Sequence, residues 1–232
     1  MKPHTLDALA LALACFSALA SAVVSDRVFE RIPHIEDEFA NLWQAEVMAD
    51  GQITLPSPTY TRSFLVPFVV DYQGRRFGKY APGWPATLSL GARLDVPWLV
   101  NPLLGGFAVW LVYRLGSKIA GRGVGLLAAL LTGTSPMFLM LSGTLMSHNL
   151  SLFLTLSFSL AWFDLFIETR ANSDSAHVPN WMLVAVAGST LGLLTLTRPL
   201  TALGVFLPFG IHGIYMLLRG DSATRRRVIF VG

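Results

Sequence analysis

The amino-acid sequence predicts an all-α protein: a polytopic transmembrane helix bundle whose first connecting loop is large, extracytoplasmic and carries interfacial helices. Three observations point there. Of the 232 residues, 53% are hydrophobic and only 13% charged, against about 25% charged in ordinary soluble domains. The mean hydropathy is +0.55. Charge-free apolar runs recur along the chain, and Lys and Arg gather in alternate turns between them.

The first run, residues 8–25, holds no charge and has the length of a short membrane span. A cleaved leader is the competing reading, because Lys2 precedes the run and Ala20-Ser21-Ala22 resembles a cleavage site. The run is long for a leader core, however, and Asp7 interrupts the basic start, so it is read as a span. Both readings place residues 26–97 outside the cytoplasm. Five further runs, at 98–113, 123–142, 149–167, 181–197 and 200–218, bring the expected spans to six. With a cytoplasmic N-terminus, the inner turns carry Arg114, Lys118 and Arg122, then Arg170, then Arg219 with Arg225, Arg226 and Arg227. The short outer turns hold only Arg198, which fits the positive-inside rule. A new apolar run opens at Val228. The whole of 1–232 is therefore read as one membrane domain, the N-terminal portion of a longer protein.

Composition also excludes some functions. The net charge is +3, but the cations are dispersed and form no basic helix or RNA-binding motif, so nucleic acid is set aside as a partner. Cys15 is the only cysteine, which removes disulfide frameworks and CxxC metal sites. His212 is the only titratable side chain well inside a predicted span, which weighs against an ion-coupled transporter.

The outer loop opens with Ile32-Pro-His-Ile-Glu-Asp-Glu-Phe39. Ile35, Phe39, Leu42, Trp43 and Val47 form one helical stripe, with Asp37, Asn41 and Gln44 opposite, so a short amphipathic helix is expected at the membrane surface. Pro33 and the acids Glu36, Asp37 and Glu38 mark its start, where the helix dipole favours carboxylates. Asp37 is then either a proton acceptor or simply a helix-start acid in water. Further on, Tyr72-Gln-Gly-Arg-Arg-Phe-Gly-Lys-Tyr-Ala-Pro-Gly-Trp-Pro85 sets Arg75, Arg76 and Lys79 among glycines and aromatics. Such cations hold a phosphate by charge-assisted hydrogen bonds, or else the segment is an interfacial anchor with its rings in the aromatic belt. The topology puts Asp37, Lys79, Ser147-His148-Asn149 and Arg198 on one side. His34, His148 and Asn149 are the candidates to line a pocket there, with a helix-start role as the alternative for His148 and snorkelling to headgroups for Arg198.

These segments resemble the C-type glycosyltransferases, in particular protein mannosyltransferases and lipid A aminoarabinose transferases. In that group a first span leads to a large external loop whose surface helix opens on an Asp-Glu pair, matched here by Asp37-Glu38. The resemblance implies that Asp37 is the base for the acceptor hydroxyl and that Glu38 supports it. The Lys-Pro segment that binds the carrier phosphate in the aminoarabinose transferases is similar to Gly78-Lys79-Tyr-Ala-Pro-Gly-Trp84, where Tyr80 and Ala81 separate the lysine from the proline. Lys79 is its counterpart, with Arg75, Arg76 or Arg198 as helpers. The expected activity is inverting transfer of a sugar from a polyprenyl-phosphate carrier to an acceptor hydroxyl on a glycan, lipid or protein. It is expected at the outer face of the cytoplasmic membrane, with no metal and no cofactor. A non-catalytic protein that binds or flips polyprenyl-phosphate lipid is the alternative.

Overall fold

A computed structural model describes residues 3–168, 181–220, 225 and 228. The inner-loop cation Arg170 and the pair Arg226 and Arg227 lie outside them. The chain divides into two compact units, Met1–Phe153 and Leu154–Gly232.

The first unit begins with α1 (Pro3–Arg27). The outer loop then forms α2 (Glu36–Ala49), a 3-10 turn (Thr61–Phe64) and α3 (Gly83–Ala92), with three short strands, β1 (Leu55–Pro56), β2 (Val69–Tyr72) and β3 (Arg75–Gly78). The strands make an antiparallel sheet in the order β1-β3-β2, a small β element that the all-α expectation omits. Its signal is the alternation Val69-Val70-Asp71-Tyr72, followed by a two-residue turn. Gln73 and Gly74 both take positive φ, 49° and 74°, the mirror-image turn that matches the twist of a hairpin.

Beyond the loop come α4 (Pro97–Ala120), α5 (Arg122–Gly133), α6 (Pro136–Gly143) and α7 (His148–Trp162), the last running on through a π-helical turn to Glu168. The second unit adds α8 (Trp181–Thr197) and α9 (Pro199–Arg219). Here Phe158, Trp162, Phe166, Ala187 and Met216 form a buried cluster. The six runs expected as spans fall on helices, that at 123–142 in two pieces. Among the described residues, α1, α4, α7 with its extension and α9 are long and apolar enough to cross a bilayer. The 17-residue α8 is shorter.

The run at 123–142 is bent by 60° between α5 and α6. Pro136 lacks the N–H that would continue the ladder, and it drives Ser135 to ψ 122°, outside helical space. The two halves nevertheless run the length of α1. At the start of α5, Arg122 Nη1 lies 3.1 Å from Asp7 Oδ2. At the end of α6, Gly143 packs so closely on Val24 and the Ser25 backbone that a Cβ there would sit 2.8 Å from Val24 Cγ1. Asp7 and Ser25 are about 27 Å apart along a straight helix. The pair together thus covers the length of α1, the geometry of one broken span rather than of a loop that returns to the side it left.

Small residues let these helices approach, as expected where lipid removes the hydrophobic drive for helix association. Gly106 of α4 faces Ala14 and Ala18 of α1, and a Cβ there would lie 2.8 Å from the Ala18 Cβ and 2.9 Å from the Ala14 carbonyl oxygen. Because backbone cannot yield as a flexible side chain can, Gly106→Val is expected to cost about 1–3 kcal/mol by overpacking. Gly123→Val at the open start of α5, where nothing lies within 4 Å, is the control. Thermal unfolding in one detergent compares the two. Equal stability of the two variants would show that α1 and α4 are not packed in this way.

Candidate functional site

The outer-loop helix α2 is oriented by its polar residues. Glu38, Asn41 and Gln44 are buried against the protein, while Ile35 and Phe39 are exposed and Leu42 and Trp43 half-exposed. The predicted apolar stripe therefore looks outward, except for Val47, which is buried. Gln44 locks the helix to the sheet. Its Nε2 donates to the Ile53 carbonyl at 2.9 Å, and its Oε1 accepts from the Gly78 N–H at 2.7 Å. At the far end of α2, the Arg93 guanidinium donates to the carbonyls of Met48 and Ala49.

Glu38 is the pin at the start of the helix. It is 3% exposed. One carboxylate oxygen accepts from the His34 N–H at 2.8 Å and the other from the Leu145 N–H at 3.1 Å. Trp84 Nε1 donates to the carbonyl of the same Leu145. Asn101 Nδ2 donates to the Thr144 and Met146 carbonyls, and Asn149 Nδ2 to Ser142 Oγ and the Asn101 carbonyl. The outer loop and the 144–146 turn are thus joined on one side of the helices. Asn149, named from the sequence as a pocket residue, serves in this buried network. His148 is half-buried at the start of α7.

Asp37, one residue earlier, lines an open groove of about 540 Å³ with His34, Ile35, Glu36, Phe39, Pro67 and Phe68. Its Oδ1 accepts from the Tyr80 hydroxyl. Burial, and secondarily the Asp37 carboxylate, push the Tyr80 phenol well above its ordinary value. His34 is exposed at the rim, its ring tilted on Phe29 and its Nε2 2.9 Å from the Phe29 carbonyl oxygen.

Lys79 is exposed, and its Nζ lies 3.5 Å from the centre of the Phe68 ring and 5.1 Å from that of Tyr80. Asp37 and Lys79, far apart in sequence, are thus linked through Tyr80, whose hydroxyl bonds the carboxylate and whose ring centre lies 5.1 Å from the ammonium. The lysine backbone is fixed by its N–H, which donates to the Phe68 carbonyl at 3.0 Å.

The other candidate cations are placed differently. Arg75 is exposed, with Nη1 donating to Thr54 Oγ1 at 3.1 Å. Arg76 is 7% exposed and spent inside the loop. It donates to the Phe64 carbonyl, its Nε lies 3.7 Å from Asp71 Oδ2, and its guanidinium lies over Trp43. A buried guanidinium engaged in this way stiffens the loop and is poorly placed to receive a phosphate. Arg198 precedes α9 in the second unit. Among the described residues, no three or more His, Cys, Asp or Glu converge as metal ligands.

No protein-family model matches the chain, and no curated protein sequence matches it either. The functional reading rests on the residues themselves. Sequence reasoning passed over Tyr80, taken as a spacer, and Phe68, for which no motif exists. A phenol and a ring brought in from separate turns leave no spacing to read.

Proposed function

We propose that the protein is a membrane glycosyltransferase that moves a sugar from a polyprenyl-phosphate carrier to an acceptor hydroxyl at the outer membrane face, with inversion. The observation that carries this reading is Tyr80, whose hydroxyl bonds the Asp37 carboxylate at an open groove and whose ring, with that of Phe68, carries the Lys79 ammonium. Asp37 takes the proton of the attacking hydroxyl as a general base. Lys79 stabilises the phosphate that departs with its lipid, helped by the exposed Arg75. The outward Ile35 and Phe39 set α2 among the headgroups, where a carrier phosphate resides.

In this proposal the six helical runs cross the membrane, with α5 and α6 as one of them, and the N-terminus is cytoplasmic. In a Cys15→Ser background, a cysteine at the hairpin tip Gln73 is expected to react with an impermeant thiol reagent in intact cells. One at Gly123 is expected to react only after permeabilisation. The opposite pattern would put the groove on the cytoplasmic side and end the proposal.

Lys79→Ala is expected to weaken binding of undecaprenyl phosphate in nanodiscs by about 1.5–3 kcal/mol, the range for a hydrogen bond to a charged group. Lys79→Arg recovers part of that loss, since it keeps the charge and changes the geometry. Binding indifferent to Lys79→Ala would leave the lysine as an interfacial anchor.

A further inference from the structure

Asp37 has a single hydrogen-bond partner among the described residues, the Tyr80 hydroxyl. The ring that carries the hydroxyl is itself packed. The Tyr80 ring stands edge-on to Phe68, 5.7 Å between centres at 76°. The Lys79 ammonium lies over both rings. Phe68 itself takes a φ of 58°, a left-handed conformation uncommon for a side chain of this size. Such strain persists where surrounding structure imposes it. Here it turns the ring toward Lys79 and Tyr80.

We propose that Tyr80 is a positioning residue for Asp37, holding one carboxylate oxygen so that the other meets the acceptor hydroxyl in a fixed orientation. This rests on the reading of Asp37 as the base. A carboxylate near the start of a surface helix otherwise turns about its side-chain bonds, and orientation of the reacting groups is a large part of what an enzyme supplies. A phenol suits the task because it donates one hydrogen bond without bringing a positive charge that would quench the base. It also keeps its proton through the neutral range, since burial and the neighbouring carboxylate both disfavour the phenolate.

The first test reads the contact without any activity. The protein is labelled with 3-fluorotyrosine and followed by fluorine NMR in nanodiscs, with Tyr80→Phe identifying the resonance. In Asp37→Asn the Tyr80 titration is expected to move down in pH relative to the same label in wild type. An unmoved titration would mean that the phenol does not touch the carboxylate, and the proposal would fall.

The second test reads the role, using a polyprenyl-phosphate donor with a radiolabelled sugar and cell-envelope extract as acceptor. Tyr80→Phe keeps the ring against Phe68 and is expected to lower kcat about tenfold, the worth of one hydrogen bond to a charged group, while the donor KM stays within about twofold. In an Asp37→Asn background the same change is expected to add little. Unchanged turnover would remove the positioning role, and raised turnover would show that the phenol blocks the base. A loss appearing in donor KM instead would assign Tyr80 to the lysine. If Asp37→Asn alone keeps its turnover, the catalytic reading fails, while the fluorine titration still reports the contact.

Discussion

Asp37→Asn is expected to lower turnover at least about a hundredfold, the low end for loss of a general base, while donor binding and folding stay close to wild type. The substitution keeps the side-chain shape and an oxygen that can still accept from Tyr80. The sequence left open that Asp37 is only a helix-start acid. In the structure its hydrogen bond goes to a distant phenol, and the residue preceding α2, Ile35, offers no side-chain cap. What remains of the dipole contribution is about 0.3–1 kcal/mol for an acid near the surface, too little to mimic a hundredfold loss by unfolding. Glu36→Gln is the matched control, because Glu36 is exposed in the same turn and loses the same charge. The measurement is single-turnover sugar transfer in nanodiscs at saturating donor. Turnover of Asp37→Asn within threefold of wild type would leave a carrier-binding protein as the better account.

Glu38→Ala is expected to be the most damaging change to the outer loop. It removes a buried carboxylate that accepts from two backbone N–H groups, those of His34 and Leu145. Each orphaned donor costs about 1–3 kcal/mol, so a loss of about 2–6 kcal/mol is expected. Glu38→Gln keeps one acceptor but points an amide N–H₂ at the other donor, and is expected to cost about half as much. The pair Asp37-Glu38 thus separates into an acid at the groove and an acid in the scaffold. For that reason Glu38 is a poor control for Asp37. Limited proteolysis of the 26–97 loop, scored against thermal stability of the whole protein, measures the change. A loop as protease-resistant in Glu38→Ala as in wild type would show that the pin is not needed.

The long helices were legible because each centres on an apolar stretch bounded by charge, glycine or proline. The match is closest in α8, observed at Trp181–Thr197 as expected, and loosest in α4, which extends to Ala120 past Arg114 and Lys118. The break at Pro136 was written in Ser135-Pro136, but mean hydropathy averages over it. Within the loop, the helix start at Glu36 followed from Pro33 and three acids in a row. The hairpin did not, since Gln73-Gly74 is a weaker turn signal than Asn-Gly. Asp37 and Lys79 were legible as residue types suited to an acid-base and a phosphate role. Their link was not, because it depends on Phe68 and Tyr80, and on the lock between Gln44 and Gly78 that fixes the helix against the sheet. Arg76 shows the converse limit: three cations in a row of glycines read alike in sequence, yet one of them is buried.

The break between α5 and α6 bears on how the protein is made. At 1.5 Å per residue, the 12 residues of α5 reach about 18 Å and the 8 of α6 about 12 Å, so neither half covers a hydrocarbon layer of about 30 Å. Emerging from the ribosome, each half alone is too short a hydrophobic segment to be retained by the bilayer. The groove between α1 and α4 must already be in place to receive them, since Gly125 of α5 packs against Tyr113 and Ser117 of α4, and Gly143 of α6 against the end of α1. Biogenesis of this unit therefore has an order built into it. If the pair crosses as one span, α1 and α4 have to enter first and receive it.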